Sequence, residues 1–312
     1  MRDHTTIWIS KWVIETKLKL ILALTVLLAT VVMPAFGQQT AAEWLEKGNA
    51  FAMQSKYDES IQAYDQAIDI NPQFADAWYN KGVALGNLGK HDEALQAFDQ
   101  AIDINPQDAD AWYNKGAALS KLSKHDEALQ AFDQAIDINP QDADAWYNKG
   151  NALKDLGKYD EAIQAYDQAI SIDPQDADAW SNKGAALSDL GKNDVAINAY
   201  DQAISINPKL DEAWNNKGVA LEALGKNDEA IKAYDQAISI NPQYANAWYN
   251  KGVALDDLGK NDEAINAYDQ AISIDPQYAD AWYKKGAALK ALGRTSESDA
   301  AFAKAEELKN AA

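Results

Sequence analysis

A block of 34 residues repeats eight times without a gap between Ala41 and Ala312. Its copies are residues 41–74, 75–108, 109–142, 143–176, 177–210, 211–244, 245–278 and 279–312. A strict period of this length describes one supersecondary unit stacked on copies of itself. It rules out a single globular core. It also places function on a long surface, because each block contacts only its neighbours.

Numbering each block from 1 to 34 exposes its internal logic. Position 4 is always Trp, from Trp44 to Trp282, and position 8 is always Gly, from Gly48 to Gly286. Position 11 is Leu apart from Phe51. These three lie about a turn apart and share one helical face. Positions 20, 24 and 27 do the same for a second helix, as Ala (Ser60 and Ser298 excepted), Tyr or Phe, and Ala. Small residues at 8 and 20 let the two helices approach, and the aromatic side chains fill the space around the contact. Gly or Ser at position 15 ends the first helix. Asp at 18 and Glu at 19, with Ser296 and Val195 as exceptions, favour the start of the second through its dipole. Asn-Pro or Asp-Pro at 31 and 32 stops it in the first seven blocks.

The Trp, Gly, aliphatic, Ala, aromatic, Ala and Pro positions together resemble the tetratricopeptide repeat family. The resemblance spans 272 of 312 residues. It implies an all-α protein: an α-solenoid, a right-handed superhelix of antiparallel helix pairs. It also implies a scaffold for protein–protein contacts, with the first helices lining a concave groove. One position departs from the family. Position 7, usually a large apolar residue there, is Lys in every block, from Lys47 to Lys285. Its aliphatic stem is expected to pack while its charge reaches outward.

The chain carries 28 basic and 48 acidic residues. Arg2, Lys11, Lys17, Lys19, Asp3 and Glu15 precede residue 40, so the repeats hold 24 basic and 46 acidic residues, a net charge of −22. Such a balance argues against nucleic acid, which needs a basic footprint, and against docking on anionic lipid. It favours neutral or basic partners. The absence of cysteine excludes disulfides and thiolate metal sites.

No motif for catalysis emerges. His91 and His125 share position 17 with Tyr57, Tyr159 and Asn193, too varied for a catalytic base. The Asp- and Asn-rich junctions, such as residues 103–112, lack the Gly and terminal Glu of a calcium loop and read as turn and helix-start chemistry. Gly-rich phosphate loops, zinc spacings and nucleophile elbows are missing. The chain reads as a non-enzyme with neither cofactor nor small-molecule substrate.

Leu20 to Met33 is a fourteen-residue run of apolar or neutral residues, preceded by Lys17 and Lys19 and followed by Ala35 and Gly37. Residues 1–37 therefore read as a signal peptide cleaved after Gly37, or as an uncleaved signal anchor. Either reading places the repeats outside the cytoplasm, secreted or anchored, with membrane contact only through an uncleaved N-terminal segment.

Positions 21 and 28 are Ile or Leu in the first seven blocks and are expected to cover the next block's first helix. In the last block they become Asp299 and Glu306. Stacked repeats need a polar end, so the eighth block reads as its own cap.

Positions 2, 5, 6, 9, 12 and 13 form a stripe opposite the Trp-Gly-Leu face. Position 6 is Asn in six successive blocks: Asn80, Asn114, Asn148, Asn182, Asn216 and Asn250. Such amides either hydrogen-bond an extended peptide backbone or join helices within the scaffold. Position 5 is Tyr at Tyr79, Tyr113, Tyr147, Tyr249 and Tyr283, but Ser181 and Asn215 in the middle. Position 2 is mostly acidic, with Asp76, Asp110, Asp144 and Asp178. The family's clamp for chaperone C-terminal carboxylates needs Lys at 2 or 5 and Arg at 6, and these positions do not supply it. The expected function is an extracytoplasmic scaffold that binds extended, neutral-to-basic polypeptide in an acidic, Asn- and Tyr-lined groove. The alternative is a structural component or regulatory subunit of an envelope assembly, acting through its convex face or its ends.

Overall fold

The computed structural model describes residues 39–311; the leader or anchor reading of residues 1–37 falls outside the described residues. Among the described residues the chain forms sixteen α-helices, two per block, and no strand. Repeat 3 pairs Ala109–Lys121 with His125–Ile138, and repeat 4 pairs Ala143–Asp155 with Tyr159–Ile172. The array runs from Ala41–Ala52 to Thr295–Ala311. Each helix packs on its neighbours in the chain, and first helices of adjacent repeats also touch. The result is an α-solenoid of antiparallel helix pairs. None of the described helices is long and apolar enough to cross a membrane.

Within a repeat, the turn between helices needs a left-handed residue. Gly89 and Gly157 take it at φ 75° and 73°, while Ser55 and Ser123 hold it at 57° and 58°. Between repeats, Asn105 Oδ1 accepts the Gln107 backbone N–H at 3.3 Å, and Asp108 Oδ1 accepts that of Ala111 at 3.1 Å. The Asp- and Asn-rich junctions thus make turns and cap helices.

Close helix approach sits at the invariant glycine. A Cβ on Gly116 would lie 2.7 Å from the Phe132 ring, so no larger residue fits without moving the second helix. The invariant Trp fastens the repeat to the preceding turn: Trp146 Nε1 donates to the Pro140 carbonyl at 3.1 Å, and Trp112 and Trp248 repeat the bond at the same distance on Pro106 and Pro242.

The junctions carry a second fastening. Lys149 Nζ lies 2.6 Å from Asp133 Oδ1 of the preceding repeat and 5.0 Å from the centre of the Trp146 ring. Equivalent pairs join Lys81 to Asp65, Lys115 to Asp99, Lys183 to Asp167, Lys217 to Asp201, Lys251 to Asp235 and Lys285 to Asp269. The lysine stem packs as expected. Its charge turns to position 25 of the repeat before it and not to solvent.

The two ends differ from the interior. Ile61 and Leu95 pack against the core of the following repeat, as Ile163 does. Asp299 and Glu306 are exposed. Ala303 replaces the position-25 acid in the eighth repeat. At the other end Glu43 is exposed at position 3, where the interior repeats place fully buried Ala77, Ala111 and Ala145. The Glu43 carboxylate instead completes a capping box with Thr40.

Candidate functional site

The stripe at positions 2, 5, 6, 9, 12 and 13 lies along the first helices, away from the Trp and Lys–Asp fastenings. Its repeating step joins two repeats. Asn114 Nδ2 donates to the Tyr79 hydroxyl at 3.2 Å, Asn148 to Tyr113 at 3.1 Å and Asn182 to Tyr147 at 2.9 Å. The same amide nitrogen donates to the backbone carbonyl four residues back, Asp110 for Asn114 and Asp144 for Asn148, both at 2.9 Å. Asn80 keeps the second bond, to Asp76 at 2.8 Å, and faces Leu45 at position 5 of the first repeat instead of a Tyr. Both amide hydrogens of Asn114 and of Asn148 are therefore engaged inside the scaffold. Their Oδ1 atoms accept no bond from the described residues.

The tyrosine rings pack inward. Tyr79 lies 6.2 Å from Phe98, Tyr113 6.0 Å from Phe132 and Tyr147 6.1 Å from Tyr166, all tilted. Asp76, Asp110, Asp144 and Asp178 are exposed beside this row. Burial pushes the Tyr79 hydroxyl above its usual range, with Asp110 and Asp108 adding to the rise. Partial desolvation raises Asp144 despite its exposure, assisted by Asp142 and Asp176. The step is thus acidic and rich in acceptors.

The row changes in the middle. With Ser181 and Asn215 at position 5, the Tyr–Asn bond gives way to an amide chain: Asn250 Nδ2 donates to Asn215 Oδ1 at 3.0 Å, and Asn215 Nδ2 to Asn216 Oδ1 at 3.2 Å. Tyr249 leans on Tyr268 at 6.0 Å and on Tyr278 at 5.0 Å. The position-6 residue it would meet in the last repeat is Lys284.

Part of the variation at positions 9 and 12 has a structural cause that sequence reasoning missed. The aromatic residue at position 24 reaches the groove floor from below. Where it is Tyr, its hydroxyl needs a partner. Tyr64 and Tyr166 donate to Asn49 and Asn151 at position 9, both at 2.8 Å, and Tyr234 donates to Glu222 at position 12 at 2.9 Å. Where it is Phe, as in Phe98, position 9 is Val83 and position 12 is Gly86. There the groove holds a cleft of about 210 Å³ against Phe98, bordered by Asn114 and Lys121. The co-occurrence of Tyr at 24 with a polar residue at 9 or 12 was the available signal.

On the opposite face, clefts of about 470, 500 and 550 Å³ recur in repeats 1, 3 and 7. In repeat 3 the cleft is bounded by Trp112, Lys115, Gln130 and Asp133.

Models described as TPR repeat match residues 150–191, 186–225 and 254–293. Models described as tetratricopeptide repeat match 45–109, 84–143, 131–164, 211–244, 233–266 and 279–311. The chain belongs to the tetratricopeptide repeat family. No curated protein matches it. Among solved structures, this tetratricopeptide array is similar to YrrB, described as a TPR protein with an unusual peptide-binding site, at 24% identity and a TM-score of 0.54 over 61% of this chain and 98% of that one. It is similar to MamA from Desulfovibrio magneticus RS-1, residues 41 to the end, at 22% identity and a TM-score of 0.52 over 55% of this chain and 97% of that one. A MamA double mutant gives 21% identity and a TM-score of 0.52 over 54% and 94%. At these identities the likeness establishes the shared solenoid fold.

Proposed function

We propose that this tetratricopeptide protein is a non-enzymatic interaction scaffold that binds an extended, neutral-to-basic polypeptide along the first helices of repeats 2 to 7. The observation that carries the reading is the polarity of the groove step. The donors of Asn114 and Asn148 are engaged within the scaffold, while their Oδ1 atoms stand free beside Asp110 and Asp144. A row of acceptors among carboxylates suits a ligand rich in N–H donors and positive charge: an extended backbone with Lys or Arg side chains. YrrB is described as having a peptide-binding site; for the present chain the reading stands on its own residues.

We propose further that the protein works outside the cytoplasm, because of the basic flank and short apolar run before Gly37. Mass spectrometry of the native protein is expected to find Gln38 at the mature N-terminus. Peptides from residues 1–30 in the mature membrane fraction would assign an anchor instead.

The binding reading is tested with arrays of short unstructured peptides of basic, neutral and acidic composition, probed with the full chain. Basic and neutral peptides are expected to bind, and Asp110→Asn, Asp144→Asn and Asp178→Asn together to weaken the basic ones selectively. Equal binding of acidic peptides would overturn the reading. The opposite-face clefts favour a second reading, in which Trp-lined sites such as that of Trp112 and Gln130 dock a neighbouring assembly component. Binding that survives every groove substitution would support it.

A further inference from the structure

The groove floor changes character between repeats 6 and 8. Residues four apart share a helix face. Tyr79 and Tyr249 therefore stand over Val83 and Val253, which are half-buried. In repeat 6 the position-5 residue is Asn215, which is only 5% exposed and occupied in the amide chain. It leaves Val219 uncovered at 45% exposure. An apolar spot thus opens on the groove floor.

One turn further along stands Glu222, which accepts the Tyr234 hydroxyl at 2.9 Å. The next repeat has Asp256 at the same position, with Asp257 beside it. An aspartate is one methylene shorter than a glutamate. Glu222 reaches its tyrosine; Asp256 makes no such bond, and the hydroxyl of Tyr268, a fully buried residue, has no hydrogen-bond partner. Burial raises that hydroxyl most, and Asp256 is the carboxylate that adds most to the rise, followed by Tyr249, Asp257 and Glu222. An unpartnered buried hydroxyl is costly unless something occupies the site. Lys284 is the cation that acts on Glu222 and on Asp256, and Asp257 opposes it at both. Burial raises both Glu222 and Asp256 above the usual carboxylate range, and a further cation would relieve this. In repeats 2 and 3 the corresponding position-12 residues are Gly86 and Ser120, so the feature is confined to this end of the groove.

We propose that Val219, Glu222, Asp256, Asp257 and Tyr268 form a subsite for one Lys or Arg side chain of the bound polypeptide. The aliphatic stem lies on Val219, the cationic head enters between Glu222 and Asp256, and the Tyr268 oxygen accepts one of its N–H groups. The partly exposed Tyr249 ring, packed against Tyr268, offers a face for the head group. The proposal rests on the polypeptide-binding reading above and assigns one register of that ligand.

The test uses the full chain and a set of unstructured Ser/Gly/Ala peptides identical except for one central residue: Arg, Lys, Gln or Glu. Fluorescence anisotropy is expected to show the Arg and Lys peptides binding about tenfold more tightly than the Gln peptide, the size of one charge-assisted hydrogen bond. Glu222→Gln with Asp256→Asn keeps an acceptor for Tyr234 and is expected to remove that preference while the Gln peptide still binds. Asp256→Glu, long enough to engage Tyr268, is expected to reduce it. Thermal melts confirm that the variants fold. If peptides bind without a basic preference, or the preference survives the double substitution, the subsite is overturned and the groove reading stands. If none of the peptides binds, both fall. If Ca²⁺ alone raises the melting temperature and the double substitution abolishes the rise, the cluster is a metal site and the proposal is overturned.

Discussion

Asn148 donates to the hydroxyl of Tyr113, one repeat earlier, at 3.1 Å. The bond makes Asn148 part of the joint between repeats, and its oxygen accepts no bond from the described residues. In the proposed reading, two roles that sequence alone kept apart, scaffold and ligand contact, meet in that one side chain. They separate by mutation. Tyr113→Phe removes only the joint and is expected to lower stability by about 0.5–1.5 kcal/mol without weakening peptide binding. Asn148→Ala removes the joint and the acceptor, and is expected to lower both. Urea unfolding and peptide anisotropy check the pair. Equal loss of binding in the two variants would show that the Asn oxygen has no part in recognition.

The Lys149–Asp133 pair is expected to contribute little but consistently. The lysine is mostly covered and the carboxylate about half exposed, so screening limits the pair to about 0.5–1 kcal/mol, with the Trp146 ring adding a similar amount. Lys149→Met keeps the stem and removes the charge. Urea unfolding in low and high salt is expected to show a destabilisation that shrinks as salt rises. A salt-independent loss would assign the lysine's role to packing alone.

Alkali should unfold the array through its buried tyrosines. Burial pushes the Tyr200 hydroxyl up to about 12, and raises Tyr166, Tyr234 and Tyr268 further. The unfolded chain ionises near 10, so above that pH it binds fewer protons than the folded chain, and stability falls as pH rises. Below about 10 this stabilisation is fully present. Phenolate absorbance and far-ultraviolet circular dichroism, titrated together, are expected to change in one transition above pH 10. Full phenolate formation with the helices intact would contradict the burial of these rings.

Asp299→Ile with Glu306→Ile converts the last repeat to the interior pattern seen at Ile163 and Ile170. It is expected to promote association through that end, and Ala303→Asp to strengthen it by supplying the missing partner of a position-7 lysine. Light scattering over a wide concentration range checks this. An unchanged mass would remove the capping role.

The sequence made the helix pairs, the Gly116–Phe132 approach, the turn glycines and the polar end legible, because each depends on spacing within a single 34-residue unit. It did not make the joints legible. The partners of Lys149 and Asn148 are Asp133 and Tyr113, and choosing them requires the rotation between one repeat and the next, which local periodicity does not contain. In the sequence, positions 9 and 12 read only as members of the groove stripe. Asn151 and Glu222 instead answer tyrosine hydroxyls rising from the second helices. The exposed Val219 was hidden for the same reason: it follows from what Asn215 fails to cover.

The central claim is that the ligand lies on the Tyr–Asn face. A photoreactive amino acid placed in the full chain in its own cells, at exposed Asn87, Lys121 or Asp155 on that face and at exposed Gln96 or Gln130 on the other, tests it most directly. Cross-links to a single polypeptide from the first set, suppressed by Asp110→Asn, Asp144→Asn and Asp178→Asn, are the expected result. Cross-links to the same polypeptide from Gln96 and Gln130 alone would contradict the groove and place recognition on the Trp-lined clefts.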